Sequence, residues 1–300
     1  MFSRSSDRER KNQLSQSPAH RAEPGPNELR AVDIEVVTPV LVPSEYRLEG
    51  STPFTEKSAI AVDGCTVGSA VVRCASVRGD VHRRRGGRED DYSLGMTRDG
   101  RHMVFAVADG VSSAVSSSAG SRIASRVAAE WLVEQCADLA GALQAAIDEI
   151  RRVAKQEGRD EADFATTLAV GTITTRPPVR VSALALGDAT LATISAVGGW
   201  LADRPDKTLS PDVVPLHPVA RARSYSTIVD PGSVFLLATD GLGDGLPSKA
   251  VRDVLARRLL PVPPPALNFA ALVHMDCGYL FDDRTLLGVW YRSDSRAGDV

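Results

Sequence analysis

Two carboxylates in this 300-residue chain stand at the ends of long apolar runs: Asp109 closes HMVFAVADG (His102–Gly110) and Asp240 closes VFLLATDG, residues 234–241. A short run rich in β-branched and aromatic residues and bounded by turn residues reads as a buried strand, so each run delivers its carboxylate to the rim of a core. Two such rims brought together make an oxygen-lined site for a hard divalent cation. Asp-Gly alone is a favoured turn dipeptide. Asp63-Gly64, Asp99-Gly100 and Asp244-Gly245 are read simply as turns, with Asp99-Gly100 expected between two paired strands.

Two further acidic points sit at strand starts. Glu89-Asp90 opens an extended piece through Met96, and Asp282-Asp283 precedes TLLGVWY, residues 285–291. Brought together, these four points form an all-oxygen set, which selects Mg²⁺ or Mn²⁺ over Zn²⁺. Without a cation the carboxylates repel one another, and local loosening is expected. The basic run His82-Arg83-Arg84-Arg85, with Arg88, lies just upstream and reads as either a solvated loop or an anion site.

The elements that must position these groups follow from periodicity. Strands are expected at 59–62, 69–77, 92–96 and 102–109, a meander without intervening helices, which favours an antiparallel sheet. A small polar loop, VSSAVSSSAGS, then supplies a helix cap. Two helices follow, one with Ile123, Val127, Trp131 and Leu132 on its face, the other over 139–153 with Leu143, Ile147, Ile150 and Val153 inward. Strands return at 165–174, 179–186 and 191–197. Residues 203–217 read as an irregular cover, and a strand at 234–239 leads to helices from Pro247-Ser248 and over 266–279. The final strand closes an α+β sandwich. Residues 1–58 are expected to be mostly disordered tail and linker, with IEVVTPVLVP a weak edge-strand candidate, 59–292 one domain, and 293–300 a short tail.

Composition bounds the rest. A hydrophobic fraction of 43%, a charged fraction of 24% and a net charge of -3 describe an ordinary globular protein and argue against a nucleic-acid binder. Four cysteines, Cys65, Cys74, Cys136 and Cys277, form no CxxC pair and mark neither a zinc site nor a disulfide framework, and Cys136 and Cys277, in apolar helical contexts, read as small core residues. No stretch has membrane-spanning length and no N-terminal hydrophobic signal is visible, so no membrane partner and a cytoplasmic location are expected.

Taken together, Arg85-Gly-Gly-Arg-Glu89-Asp90-Asp-Tyr92, VADG ending at Gly110, ATTL at Ala165, GDA at Gly187, LLATDG ending at Gly241 and DDRT at Asp282 resemble the PP2C-like (PPM) family of metal-dependent Ser/Thr protein phosphatases, over roughly residues 68–292. The resemblance implies an α-β-β-α sandwich, two central antiparallel sheets flanked by helical pairs. It implies two Mg²⁺ or Mn²⁺ ions held by Asp90, Asp109, the Gly110 carbonyl, Asp240 and Asp282, with Glu89 acting through water. Asp91 and Asp283 stand beside preferred ligands as register alternatives. Arg85 would bind the substrate phosphate, and Arg83 and Arg88 are the neighbours most easily confused with it.

The implied reaction is hydrolysis of phosphoserine or phosphothreonine in a phosphoprotein substrate, by in-line attack of a water bridging two ions, with Asp109 the bridge. Ser112 and Ser113 then belong to loop chemistry, and Asp188 to the structure of its turn. One departure is Val111, where some members carry a His that assists the leaving group. Protonation of the leaving alkoxide would come from bound water or from another group. His82 is a candidate, its other reading being a structural histidine. The alternative function is a noncatalytic phosphopeptide-binding or regulatory module on the same fold.

Overall fold

Runs of period two become the strands of two antiparallel sheets. The computed structural model describes residues 59–82, 87–135, 138–205, 211–260, 262–275 and 280–293. The expected tail and linker of 1–58, Arg83, Arg85, Cys136, Cys277 and residues 294–300 lie outside the described residues. In chain order the elements are β1 (Ile60–Val67), β2 (Ala70–Val77), β3 (Asp91–Met96), β4 (His102–Gly110), α1 (Ser117–Glu134), α2 (Leu139–Glu157), β5 (Thr166–Thr174), β6 (Arg180–Leu186), β7 (Thr190–Ile194) and β8 (Trp200–Asp203). There follow β9 (Arg223–Ile228), β10 (Val234–Ala238), α3 (Asp240–Gly243), α4 (Lys249–Leu259), α5 (Ala266–Val273) and β11 (Arg284–Tyr291).

One sheet has the order β1-β2-β11-β10-β7-β8 and the other β3-β4-β5-β6-β9. The two signature runs are therefore interior strands of different sheets. Alternation then sets three apolar layers. Phe105 and Val107 of β4 meet Phe235 and Leu237 of β10, Leu287 and Val289 of β11, and Cys74 of β2 between the sheets. The opposite faces of β10 and β11 pack under α4 and α5, and those of β4 and β5 under α1 and α2. Full burial of each such large side chain contributes roughly 1.5–3 kcal/mol. This is the expected α-β-β-α sandwich.

Four local expectations are corrected. Asp63-Gly64 lies inside β1, opposite Cys74 and Arg73 of β2, so the first strand runs through Val67. Strands β8 and β9 fall where no strand was expected. Both are sheet edges, and β9 alternates half-buried with exposed residues, so neither carries a continuous apolar run. The inward face of α1 is Ala124, Ser125, Ala128, Ala129 and Leu132. Ile123 and Val127 are only half-buried, and Trp131 is exposed with its indole N–H directed at Asp138. Small residues let the helix sit close on β4, and bulk moves to its flanks. Ser116 occupies the cap position of α1 without capping it, because its hydroxyl accepts from Arg159 at 2.6 Å. Among the described residues no helix is long and apolar enough to cross a membrane.

Candidate metal centre

At one end of the sandwich the inter-sheet layer changes from apolar to polar. Continuing the inward parity of each strand past its last hydrophobe leads to Ser76 on β2, Asp109 on β4, Thr239 after β10 and Thr285 on β11. Asp90, fully buried just before β3, fits among them. Its Oδ2 accepts from Thr239 Oγ at 2.9 Å and from Thr285 Oγ at 2.7 Å, and the Thr285 hydroxyl also bonds that of Ser76 at 2.7 Å.

Asp109 hydrogen-bonds both Asp90 and Asp240 through side chains, so it links two of the other expected ligands. Burial, then the charges of Asp90 and Asp240, push the Asp109 carboxyl well above its usual range. Burial and the charge of Asp283 raise Asp90 to about 7, although Thr285, Asp109 and Thr239 act the other way. Carboxyls crowded out of water at this cost fit a multivalent cation, because its attraction for each carboxylate outweighs their mutual repulsion and favours the charged forms. Their oxygen donors suit Mg²⁺ or Mn²⁺.

A second group adjoins the first. Asp283, 2% exposed, accepts from Gly79 N–H at 2.6 Å through Oδ1, and from the amides of Glu89 and Asp90 through Oδ2. It therefore splices the chain before β11 to the Glu89-Asp90 corner. His82, 4% exposed, places Nδ1 3.1 Å from Asp283 Oδ1 and 3.5 Å from Asp282 Oδ1, and Nε2 3.5 Å from Glu89 Oε2. Burial opposes charge on this imidazole, but Asp283, Glu89 and Asp282 outweigh it and hold the pKa up at about 9. Burial would raise Asp283, yet His82 and the amide donors bring it below its usual value. Glu89 is raised by burial, while His82, Ser112 and Ser117 oppose the shift.

The neighbouring alternatives separate by direction. Asp91 accepts from Tyr92 N–H at 3.0 Å and faces Arg88 Nη2 at 3.5 Å. Arg88 is itself buried, its Nε donating to the Asp90 carbonyl at 3.0 Å, so its guanidinium braces the strand start. Arg85 lies outside the described residues. The sequence reading missed Thr239, Thr285, Ser76 and Ser117. For Thr239, Thr285 and Ser76 the signal was present in the Thr next to Asp240 in LLATDG, in the Thr two residues after Asp283 in DDRT, and in strand parity carried one step past the apolar run.

Both motif glycines are close-approach positions. A Cβ on Gly110 would stand 2.9 Å from the Glu89 carbonyl oxygen, and one on Gly241 only 1.9 Å from the Asp283 carbonyl oxygen. Gly241→Ala must therefore push the Asp282-Asp283 corner away. The expected cost is about 3 kcal/mol, read as a lowered urea midpoint with unchanged slope; an unchanged midpoint would contradict the close approach.

The chain matches the family model described as protein phosphatase 2C over residues 78–269. It matches no curated protein. Among solved structures it is similar to PppA of Pseudomonas aeruginosa, a regulatory component of T6SS, at 21% identity and TM-score 0.53, covering 75% of this chain and 99% of that one. It is similar to the serine/threonine phosphatase PstP/Ppp of Mycobacterium tuberculosis at 17% identity and TM-score 0.53, covering 75% and 99%. The RsbX structure in complex with magnesium gives 13% identity and TM-score 0.56, covering 77% and 100%.

Proposed function

The chain belongs to the protein phosphatase 2C family, and from that premise we propose that it releases phosphate from phosphoserine or phosphothreonine in proteins, using Mg²⁺ or Mn²⁺. The observation that carries the reading is the meeting of Asp90, Asp109 and Asp240, from three distant segments, at the polar end of the inter-sheet layer. Bound divalent cations would supply positive charge against the phosphoryl oxygens and acidify water for attack at neutral pH.

The chain's own groups do the positioning. Asp109 stands between Asp90 and Asp240 and is the assigned shared ligand, with the Gly110 carbonyl beside it. Thr239 and Thr285 orient Asp90, and Thr166 Oγ donates to the Asp109 carbonyl at 2.8 Å, securing the end of β4. Asp282 completes the set and Glu89 acts through water. Arg85, five residues before Asp90, is assigned the substrate phosphate, a task suited to a planar guanidinium.

The test is phosphate release from a phosphothreonine peptide by the full chain under Mg²⁺ or Mn²⁺ titration. Release is expected to require the ion and to stop on chelation. Peptide binding without release would instead support the noncatalytic module, a reading motivated by Val111 in place of a His.

A further inference from the structure

We propose that His82 is a nitrogen ligand of the cation held by Asp282, so that this edge of the centre is a mixed nitrogen and oxygen site, not an all-carboxylate one. The inference rests on the reading of Asp282 and Glu89 as part of the cation site.

The donor spacing supports it. His82 Nδ1, a carboxylate oxygen of Asp282 and one of Asp283 lie within 4.8 Å of one another, with Nδ1 3.1 Å and 3.5 Å from the two Oδ1 atoms. Ligands on one ion with bonds of ~2.1 Å stand about 3.0–3.4 Å apart at neighbouring octahedral or tetrahedral positions. Asp283 Oδ1 accepts from Gly79 N–H and from His82, and when a cation displaces the imidazole proton the lone pair that held it is released toward the ion.

The other ring nitrogen provides an independent argument. Metal-bound imidazoles characteristically present their second N–H to a carboxylate, which sets the tautomer and the ring plane. Here Nε2 faces Glu89 Oε2 at 3.5 Å, leaving Nδ1 for the side where Asp282 and Asp283 converge. Ser112 and Ser117 hold Glu89 in turn. The imidazole is 4% exposed, so it is not a surface histidine that has drifted toward acidic neighbours.

An added imidazole shifts preference away from Mg²⁺ and toward Mn²⁺, Fe²⁺ or Zn²⁺. Electron-spin-echo spectroscopy of the Mn²⁺-loaded full chain tests it. Nitrogen-14 modulation is expected, converting to the nitrogen-15 pattern in protein grown with labelled histidine, a comparison that needs no substitution. In His82→Ala, checked for folding by circular dichroism, the modulation should vanish and Mn²⁺ affinity should fall about tenfold or more, with a smaller change for Mg²⁺. Mn²⁺ bound with no nitrogen modulation would overturn the imidazole assignment and leave the phosphatase reading standing. Failure to bind Mn²⁺ at all would overturn both.

Discussion

Asp109→Asn is expected to lower metal-dependent phosphate release by on the order of 10³-fold and, at the same time, to stabilise the cation-free protein. The first effect follows from removing the charge that Asp109 sets between Asp90 and Asp240, on which positioning of the cation and of charge in the transition state depends. The second follows from the state of the carboxyl without a cation: burial and two acidic neighbours hold it well above its ordinary pKa. Folding near neutral pH therefore requires proton uptake, which the amide avoids. The gain is read as a raised urea midpoint of the cation-free protein. Asp240→Asn should likewise lower metal-dependent phosphate release. Turnover on a phosphothreonine peptide with Mn²⁺, and urea unfolding in chelator, separate the two effects. An Asp109→Asn protein turning over within tenfold of wild type would remove Asp109 from the ligand set.

The second large effect is a pH dependence of stability that a cation should reverse. Asp90 rises from 3.8 to about 7 on folding. Its stabilising contribution is therefore fully present below the unfolded value and is lost as pH rises through about 7. Asp109 and Glu89 shift the same way. Asp283 shifts down, so its contribution is present above 3.8 and is lost only in stronger acid. His82, raised from 6.5 to about 9, contributes below its unfolded value and loses that contribution as pH rises through about 9. Between roughly pH 4 and 7 the cation-free protein should lose about 4 kcal/mol from Asp90 alone, or roughly 10 °C in Tm.

Mg²⁺ or Mn²⁺ binds the deprotonated carboxylates and restores ~2.7 kcal/mol at a hundredfold excess over Kd. Melting curves across pH in chelator and in excess Mn²⁺ should therefore diverge as pH rises. Coincident curves would rule out a cation at these carboxyls.

Much of this arrangement was legible in the chain itself, because it depends on local pattern. The runs ending at Asp109 and Asp240 combine β-branched and aromatic residues with a terminal carboxylate, so strand and candidate ligand are written in the same nine or so residues. The inward face of α2, with Leu143, Ile147 and Ile150, was equally plain from helical spacing. The edge strands β8 and β9 were hidden because half their residues face water. The α1 face was misjudged because small residues, not the bulky Ile123 and Trp131, make the closest contact with the sheet.

The acidic set and the apolar alternation were thus determined by the sequence alone. Only the tertiary structure decided that Asp283 bonds three amides across the fold, that Thr239 and Thr285 share one oxygen of Asp90, and that His82 is enclosed by Glu89, Asp282 and Asp283. The physical reason is the range of the interactions. Side-chain periodicity is set within one element, whereas these contacts join residues up to about two hundred positions apart, and their geometry exists only after two sheets have stacked and their polar ends have come into register.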